Sequence, residues 1–216
     1  MVIARRDFLK KGYYYPLKKA VEQDILMLGK ISSYLDAGCG EGYYTECVIP
    51  YTDPQKCWAI DISKDALILA YKRIKNINYA VASVYDMPFF EDNSFDLITD
   101  IFSPFAREEF IRVLKSGGYL ISVIPAKNHL FGIKKLIYDT PYENAVKPFE
   151  EEGFERVRVT DVNYNITLSS EDALTLWKMT PYYYRTPKSG LEKLKSSKEI
   201  STDISFHIIT YKSLKE

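Results

Sequence analysis

The chain has 216 residues, of which 46% are hydrophobic and 27% charged, and its 29 basic side chains cancel its 29 acidic ones. That balance is an ordinary globular one and excludes a disordered, collagen-like or coiled-coil protein. Zero net charge also excludes a protein that coats nucleic acid by bulk charge, while leaving room for local basic patches. At this length folding buries roughly 70% of the unfolded surface, enough for one full α/β core without staples. Cys39, Cys47 and Cys57 form no CxxC pair, and His129 and His207 stand far apart, so reduced thiols and no structural metal are expected. The opening MVIARRDFLKK has no apolar stretch of signal-peptide length, and no segment approaches 18 uninterrupted apolar residues, so a cytoplasmic protein is expected.

In chain order, residues 1–30 read as a helical N-terminal extension ahead of a single domain over 31–216. Ser32–Ala37 is a short apolar run that ends at a glycine cluster, and Lys56–Asp61 is a second run that ends in an acid. Ser63–Lys75 reads as a helix, with Ser63 as N-cap and Ala66, Leu67, Ala70 and Ile74 as its inner face. Asn78–Ala82 and Phe95–Phe102 read as strands. Ala106–Leu114 reads as a helix closed by Lys115-Ser116-Gly117-Gly118, and Tyr119–Ile124 as a fifth strand. Leu130–Ile137 and Asn144–Glu152 look helical, and Glu155–Leu168 and Asp203–Tyr211 read as an antiparallel pair at one edge. Seven strands with helical crossovers predict a doubly wound, mostly parallel α/β sheet of Rossmann-like type.

Two segments carry concentrated positive charge and runs of tyrosine. Residues 1–20 hold Arg5, Arg6, Lys10, Lys11, Lys18 and Lys19 beside Tyr13-Tyr14-Tyr15. An insertion near 170–200 holds Lys178, Arg185, Lys188, Lys193, Lys195 and Lys198 beside Tyr182-Tyr183-Tyr184. Cations with stacking rings are the chemistry of single-stranded nucleic acid; two solvated faces beside a tyrosine packing seam are the alternative.

The sharpest signal is Asp36-Ala37-Gly38-Cys39-Gly40-Glu41-Gly42, which follows a strand and opens a helix. Gly38, Gly40 and Gly42 allow a tight turn and close backbone approach to a ligand. The spacing GxGxG is not the GxGxxG of a pyrophosphate cradle. Asp36 is expected to face a positive group such as the α-amino group of a methionine moiety. Asp61, followed by Ile62 at the end of the second strand, is placed to accept both hydroxyls of a ribose. Together they predict a nucleoside ligand without a diphosphate, and S-adenosylmethionine fits.

The stretch Ala82–Leu97 followed by Arg112-Val113-Leu114-Lys115-Ser116-Gly117-Gly118 resembles the class I S-adenosylmethionine-dependent methyltransferases. The resemblance implies that Ser83 and Val84 hold the adenine; Asp86 either touches the cofactor or starts a turn. A narrower resemblance runs through Arg5–Leu9, Gly12–Leu17, Leu35–Thr45, Asp61–Lys64, Ala82-Ser83, His129-Leu130, Ile137-Tyr138 and Met179–Pro181. These segments are similar to the bacterial large-subunit ribosomal-RNA guanine-N1 methyltransferases. That family opens with a small zinc-binding module, and the three cysteines here fall inside the catalytic segment instead. The resemblance implies methyl transfer to a guanine base of ribosomal RNA. It makes Tyr14 a candidate for a lid over the cofactor and Arg6 a candidate for a phosphate or the cofactor carboxylate.

Methyl transfer from a sulfonium is an in-line displacement, so holding the reactants in line is the main task. Guanine N1 carries a proton at neutral pH, so an acceptor must assist. The reacting face is expected at the end of the fourth strand, Asp100-Ile101-Phe102-Ser103-Pro104-Phe105. Backbone carbonyls around Ser103 and Pro104 are candidates to accept from a base edge, with Phe102 or Phe105 stacking on it or belonging to the core. Asp100 and His129 are the candidate proton acceptors. A small-molecule methyltransferase on the same fold and a non-catalytic cofactor- or RNA-binding protein are the alternatives.

Overall fold

A computed structural model describes residues 2–215. Two helices, α1 (Val2–Lys10) and α2 (Tyr15–Leu26), precede the first strand. Then follow β1 (Tyr34–Ala37), α3 (Thr45–Val48), β2 (Cys57–Asp61), α4 (Lys64–Arg73), β3 (Asn78–Val81), β4 (Phe95–Ile101), α5 (Arg107–Val113) and β5 (Leu114–Pro125). The chain closes with α6 (Phe131–Ile137), β6 (Phe154–Ser169), α7 (Ser170–Lys178), α8 (Lys188–Ser196) and β7 (Glu199–Ser213). The seven strands form one sheet in the order β3-β2-β1-β4-β5-β7-β6.

The pairs β1–β2, β1–β4, β2–β3 and β4–β5 are parallel. Every residue of β1 is buried, as befits a central parallel strand covered on both faces. From β1 the chain steps outward to β2 and β3, then returns to β4 on the other side of β1. This reversal is the switch point of a doubly wound sheet. Loops leaving the carboxyl ends of β1 and β4 diverge there and open a crevice for ligand. The β6–β7 pair is antiparallel, because its cross-strand contacts Asp161–His207, Asn163–Ser205, Asn165–Asp203 and Thr167–Ser201 run in opposite directions.

Local chemistry sets the helix that matters most to the site. Ser63 caps α4 by accepting from the Ala66 N–H at 3.2 Å, and Ala66, Leu67 and Ala70 are its buried face. α5 starts with Glu108 and Glu109 and ends with Arg112, charges that suit its two ends.

Two expectations from periodicity are corrected. Residues 144–152 form no helix: Pro148 interrupts them, and the Asn144 side chain donates instead to the carbonyls of Ala126 and His129. The glycines at 117–118 do follow the end of a helix, but they lie inside β5. The register there jumps from Phe95↔Leu114 to Leu97↔Tyr119, a bulge that the left-handed Gly117 (φ 67°) makes possible.

The chain divides into two compact units. One comprises residues 2–16, Pro125–Lys147 and Asp161–His207. Within it Trp177 is fully buried, with its ring against Tyr138 and Tyr182. The buried Lys134 donates to Asn144 and sits over the rings of Tyr142 and Tyr182. The other unit comprises Leu17–Ile124, Pro148–Thr160 and residues 208–215. Its core gathers Leu35, Ile60, Ile98, Phe110 and Leu120 around the parallel strands. Among the described residues no helix is long and apolar enough to cross a membrane.

Candidate active site

The glycine loop leaves β1 at the switch point. The N–H groups of Gly38 and Cys39 both donate to the Ile60 carbonyl at 2.9 Å, which ties the turn to β2. Gly38, Gly40 and Gly42 all have positive φ. Each glycine has its own task. A Cβ on Gly38 would lie 2.4 Å from the Ser103 Cβ, so the turn and the loop after β4 touch with no room for a side chain. A Cβ on Gly42 would meet Ala70 at 3.3 Å, so this glycine lets the loop settle on α4. The Gly40 N–H donates to Asp61 Oδ2 at 2.9 Å.

Asp61 is therefore held from two sides, since its Oδ1 also accepts from the Ser63 N–H at 2.8 Å. Each carboxylate oxygen keeps a further lone pair, an arrangement able to accept both hydroxyls of a ribose. Next to it Ile62 is 77% exposed, an apolar face beside a diol acceptor. That combination fits a nucleoside, and so fits S-adenosylmethionine. Cys39 is buried, its thiol 3.5 Å from the Gly40 carbonyl, so it shapes the turn with its backbone.

Asp36 departs from expectation. Its carboxylate is buried and accepts from Thr45 Oγ1 (2.5 Å) and Thr99 Oγ1 (3.1 Å). Rather than facing a ligand, it ties the end of β1 to α3 and β4. The turn after β3 is local: Ser83 Oγ accepts from the Tyr85 N–H, and its carbonyl accepts from the Asp86 N–H. Val84 is buried in the core and Asp86 is exposed.

The loop after β4 carries one of the three left-handed non-glycine residues among the described residues. Phe102 adopts φ 64°, a left-handed conformation that a phenylalanine rarely takes and that costs on the order of 1 kcal/mol. It leaves the ring 41% exposed, edge-on to Tyr44 at 6.1 Å. Strain of this kind persists where neighbours enforce it, often at functional sites. Ser103 is one such neighbour: its hydroxyl lies 2.7 Å from the Ala37 carbonyl and also contacts Asp100. Pro104 is exposed, whereas Phe105 packs edge-on to Phe110, Phe154 and Tyr211 and belongs to the core.

Asp100 sits beneath this loop, buried, and also accepts from Ser122 Oγ at 3.1 Å. Burial, opposed by the two hydroxyls and reinforced by nearby Asp36, pushes its carboxyl up to about 7. A hydroxyl carries one proton, yet Ser103 Oγ faces two acceptors, the Ala37 carbonyl and Asp100. Both contacts are satisfied together when Asp100 is protonated and donates to Ser103. Asp100 thus braces the loop from below.

A methyltransferase-domain family model matches residues 35–122, which carry all of these features. Over 207 residues the chain is 33% identical to "Putative 23S rRNA (guanine-N(1)-)-methyltransferase YxjB" of Bacillus subtilis (strain 168), covering 89% of this chain and 73% of that protein. The chain belongs to the 23S rRNA guanine-N1 methyltransferase family. It is an S-adenosylmethionine-dependent methyltransferase. A second relative, the 23S rRNA (guanine(748)-N(1))-methyltransferase of Streptomyces fradiae, is 29% identical over 133 residues, 60% of this chain and 48% of that one. The crystal structure of the YcgJ protein from Bacillus subtilis shares the fold, with a TM-score of 0.62 at 17% identity over 92% of this chain and 99% of that one.

In this methyltransferase three sequence-predicted site residues belong to the other unit, where each has local work. His129 is buried; its Nδ1 accepts from the Ser205 N–H at 3.2 Å and its ring packs on Phe206. Burial, helped by Lys134, pulls it down to about 3, so it is a neutral Nε2–H imidazole and not a proton acceptor poised near neutrality. Tyr14 is buried with edge contacts to Phe8 and Phe206, and Arg6 pairs with Asp7.

The tyrosine runs divide in the same way. Tyr13 bonds Asp172 and Tyr182 bonds Asn144, while Tyr15 and Tyr184 stand exposed. Ion pairs neutralise Lys11, Lys18, Lys19 and Lys193, whereas Arg185, Lys188, Lys195 and Lys198 make none among the described residues.

Sequence reasoning missed the braces. Arg112 donates to the carbonyls of Met87 and Phe90, and pairs with Glu109, which in turn accepts from the Met87 N–H. The Arg112 guanidinium holds the Glu109 carboxyl below its ordinary range. This fork fixes the loop that follows Ser83 and Val84. Its only local signal was the i,i+3 spacing of Glu109 and Arg112 on a helix. Among the described residues no group of three or more His, Cys, Asp or Glu could hold a metal ion.

Proposed function

We propose that the protein methylates N1 of a guanine in large-subunit ribosomal RNA and works in the cytoplasm. The observation that carries this reading is the exposed, strained Phe102 beside the glycine loop, in a chain whose relatives are named for that reaction. When bound, S-adenosylmethionine supplies a methyl group from a sulfonium. Asp61 would hold the ribose hydroxyls, and Ile62 and the Ser83–Asp86 turn would hold the adenine. Phe102 stacks on the guanine. The carbonyls of Phe102, Ser103 and Pro104 accept hydrogen bonds from the N1–H and amino edge, and the N1 proton passes to solvent water as the methyl group is transferred. Asp100 and the Ser103 hydroxyl act as positioning groups that hold that loop against Gly38, while Ser103 meets the base only through its backbone carbonyl. The basic segment around Arg185–Lys198, with Tyr184, contributes phosphate and stacking contacts to the RNA.

The test is transfer of labelled methyl groups to large-subunit ribosomal RNA against a small-molecule extract, with reverse-transcription stops to map the base. N1-methylguanine blocks base pairing, so a stop at one guanine together with label in RNA is expected. Label confined to the extract moves the assignment to a small-molecule substrate.

A further inference from the structure

The outer face of α4 and the edge strand β3 form a groove on the sheet unit that the cofactor site does not use. Lys64, Ile68, Tyr71 and Lys72 follow one another at helical spacing along this face, and Lys75 lies just beyond the helix end, past the extended Ile74. Val81 closes the groove from β3, and the cavity holds about 450 Å³.

Three observations set it apart from an ordinary surface. First, Lys64, Lys72 and Lys75 are all exposed, make no ion pair among the described residues and lie together in one groove. No acid lines the groove. Second, Tyr71 is 53% exposed, with Ile68 and Val81 also open beside it. Third, the wall is anchored: the Tyr79 hydroxyl donates to the Ile74 carbonyl at 2.7 Å and lies 3.2 Å from that of Ala70, and its ring meets Tyr71 edge-on at 6.0 Å. Lys64 lies three residues after Asp61, so the groove starts at the cofactor end of the sheet. From there it runs roughly 12 Å along the helix to Lys72, by the rise of 1.5 Å per residue.

We propose that this groove binds a single-stranded segment of the RNA substrate, with its phosphates on Lys64, Lys72 and Lys75 and a base on Tyr71. The inference rests on the RNA reading above and gives it a second contact surface. Positive charge with an open ring is what sequence-tolerant RNA binding needs. A second copy of the chain fits less well, because a two-fold contact through this face would bring six unpaired ammonium groups together.

The test compares wild type with K64A/K72A/K75A and with Y71A, using labelled large-subunit ribosomal RNA fragments at several salt concentrations. Calorimetry with S-adenosylmethionine and sedimentation are run on the same samples. The triple variant is expected to bind RNA at least tenfold more weakly. Its log K against log salt should be shallower by about 2, since each single-strand phosphate contact contributes about 0.7 to the slope. Y71A should weaken binding with the slope unchanged, and cofactor affinity should stay within twofold in both. Wild-type RNA affinity and slope in the triple variant would overturn the groove assignment while leaving the RNA reading intact. Failure of the wild type itself to bind RNA overturns both. A wild-type dimer that the triple variant dissociates assigns the face to a second copy instead.

Discussion

Asp100→Asn should make this protein less sensitive to alkaline pH. The Asp100 carboxyl lies under the Phe102 loop between two hydroxyls, pushed up to about 7 from an ordinary 3.8. The folded protein therefore holds a proton there that the unfolded chain releases above pH 4. Where the unfolded state binds fewer protons, stability falls as pH rises. The loss begins near the unfolded value and is complete above about pH 7. At 1.36 kcal/mol per unit, a gap of about three units amounts to ~4 kcal/mol in all, with ~2–3 kcal/mol of it falling between pH 5 and 8. Asparagine has the shape of the protonated acid: its amide can donate to Ser103, and its carbonyl can accept from Ser122. It does not titrate, so the other carboxylates cancel in the comparison. Urea denaturation at pH 5, 6, 7 and 8 should show the variant gaining on wild type by ~2–3 kcal/mol across the series. A stability difference that stays constant within ~0.5 kcal/mol would show that Asp100 ionises normally, and the protonated brace beneath the loop would be wrong.

Gly38→Ala places a Cβ 2.4 Å from Ser103 at φ 81°; left-handed strain and overpacking together cost ~2–4 kcal/mol, to be read as a lowered melting temperature and a loss of cofactor binding by calorimetry. Asp61→Ala removes the acceptor of the Gly40 and Ser63 N–H groups and should weaken S-adenosylmethionine binding by ~1–3 kcal/mol, about 5- to 150-fold. Arg112→Lys keeps the charge but loses the fork that reaches both Met87 and Phe90; limited proteolysis should then cut residues 83–92 faster than in wild type, at a stability cost of ~1–2 kcal/mol. The imidazole of His129, held near 3, should give NMR shifts that do not move between pH 5 and 8, and His129→Gln should leave the pH profile of methyl transfer unchanged.

The alternation of apolar runs with one helical period, the glycine triplet and the acid closing the second strand are local patterns. Each follows from a short-range rule: strand and helix periodicity, the tolerance of glycine for positive φ, and the capping hydroxyl of Ser63. The cofactor loop and the doubly wound sheet were therefore readable from the chain alone, because backbone hydrogen bonding and burial of one face dictate them residue by residue. What a side chain does depends on what lies across space, and that the chain does not spell out. Asp36 looked like a ligand carboxylate, but Thr45 and Thr99 turn it inward. His129 looked like an acceptor, but burial against Phe206 makes it a neutral packing group. Tyr14 and Tyr182 looked like stacking platforms, and each is engaged within the fold. Residues 144–152 had a helical rhythm, yet the Asn144 side chain is bound to two carbonyls from a distant segment. Sequence by itself determined the fold class and the cofactor, since those rest on periodicity and backbone geometry. Tertiary structure alone decided which polar groups face a ligand, because desolvation and hydrogen-bond partners come from residues tens of positions away.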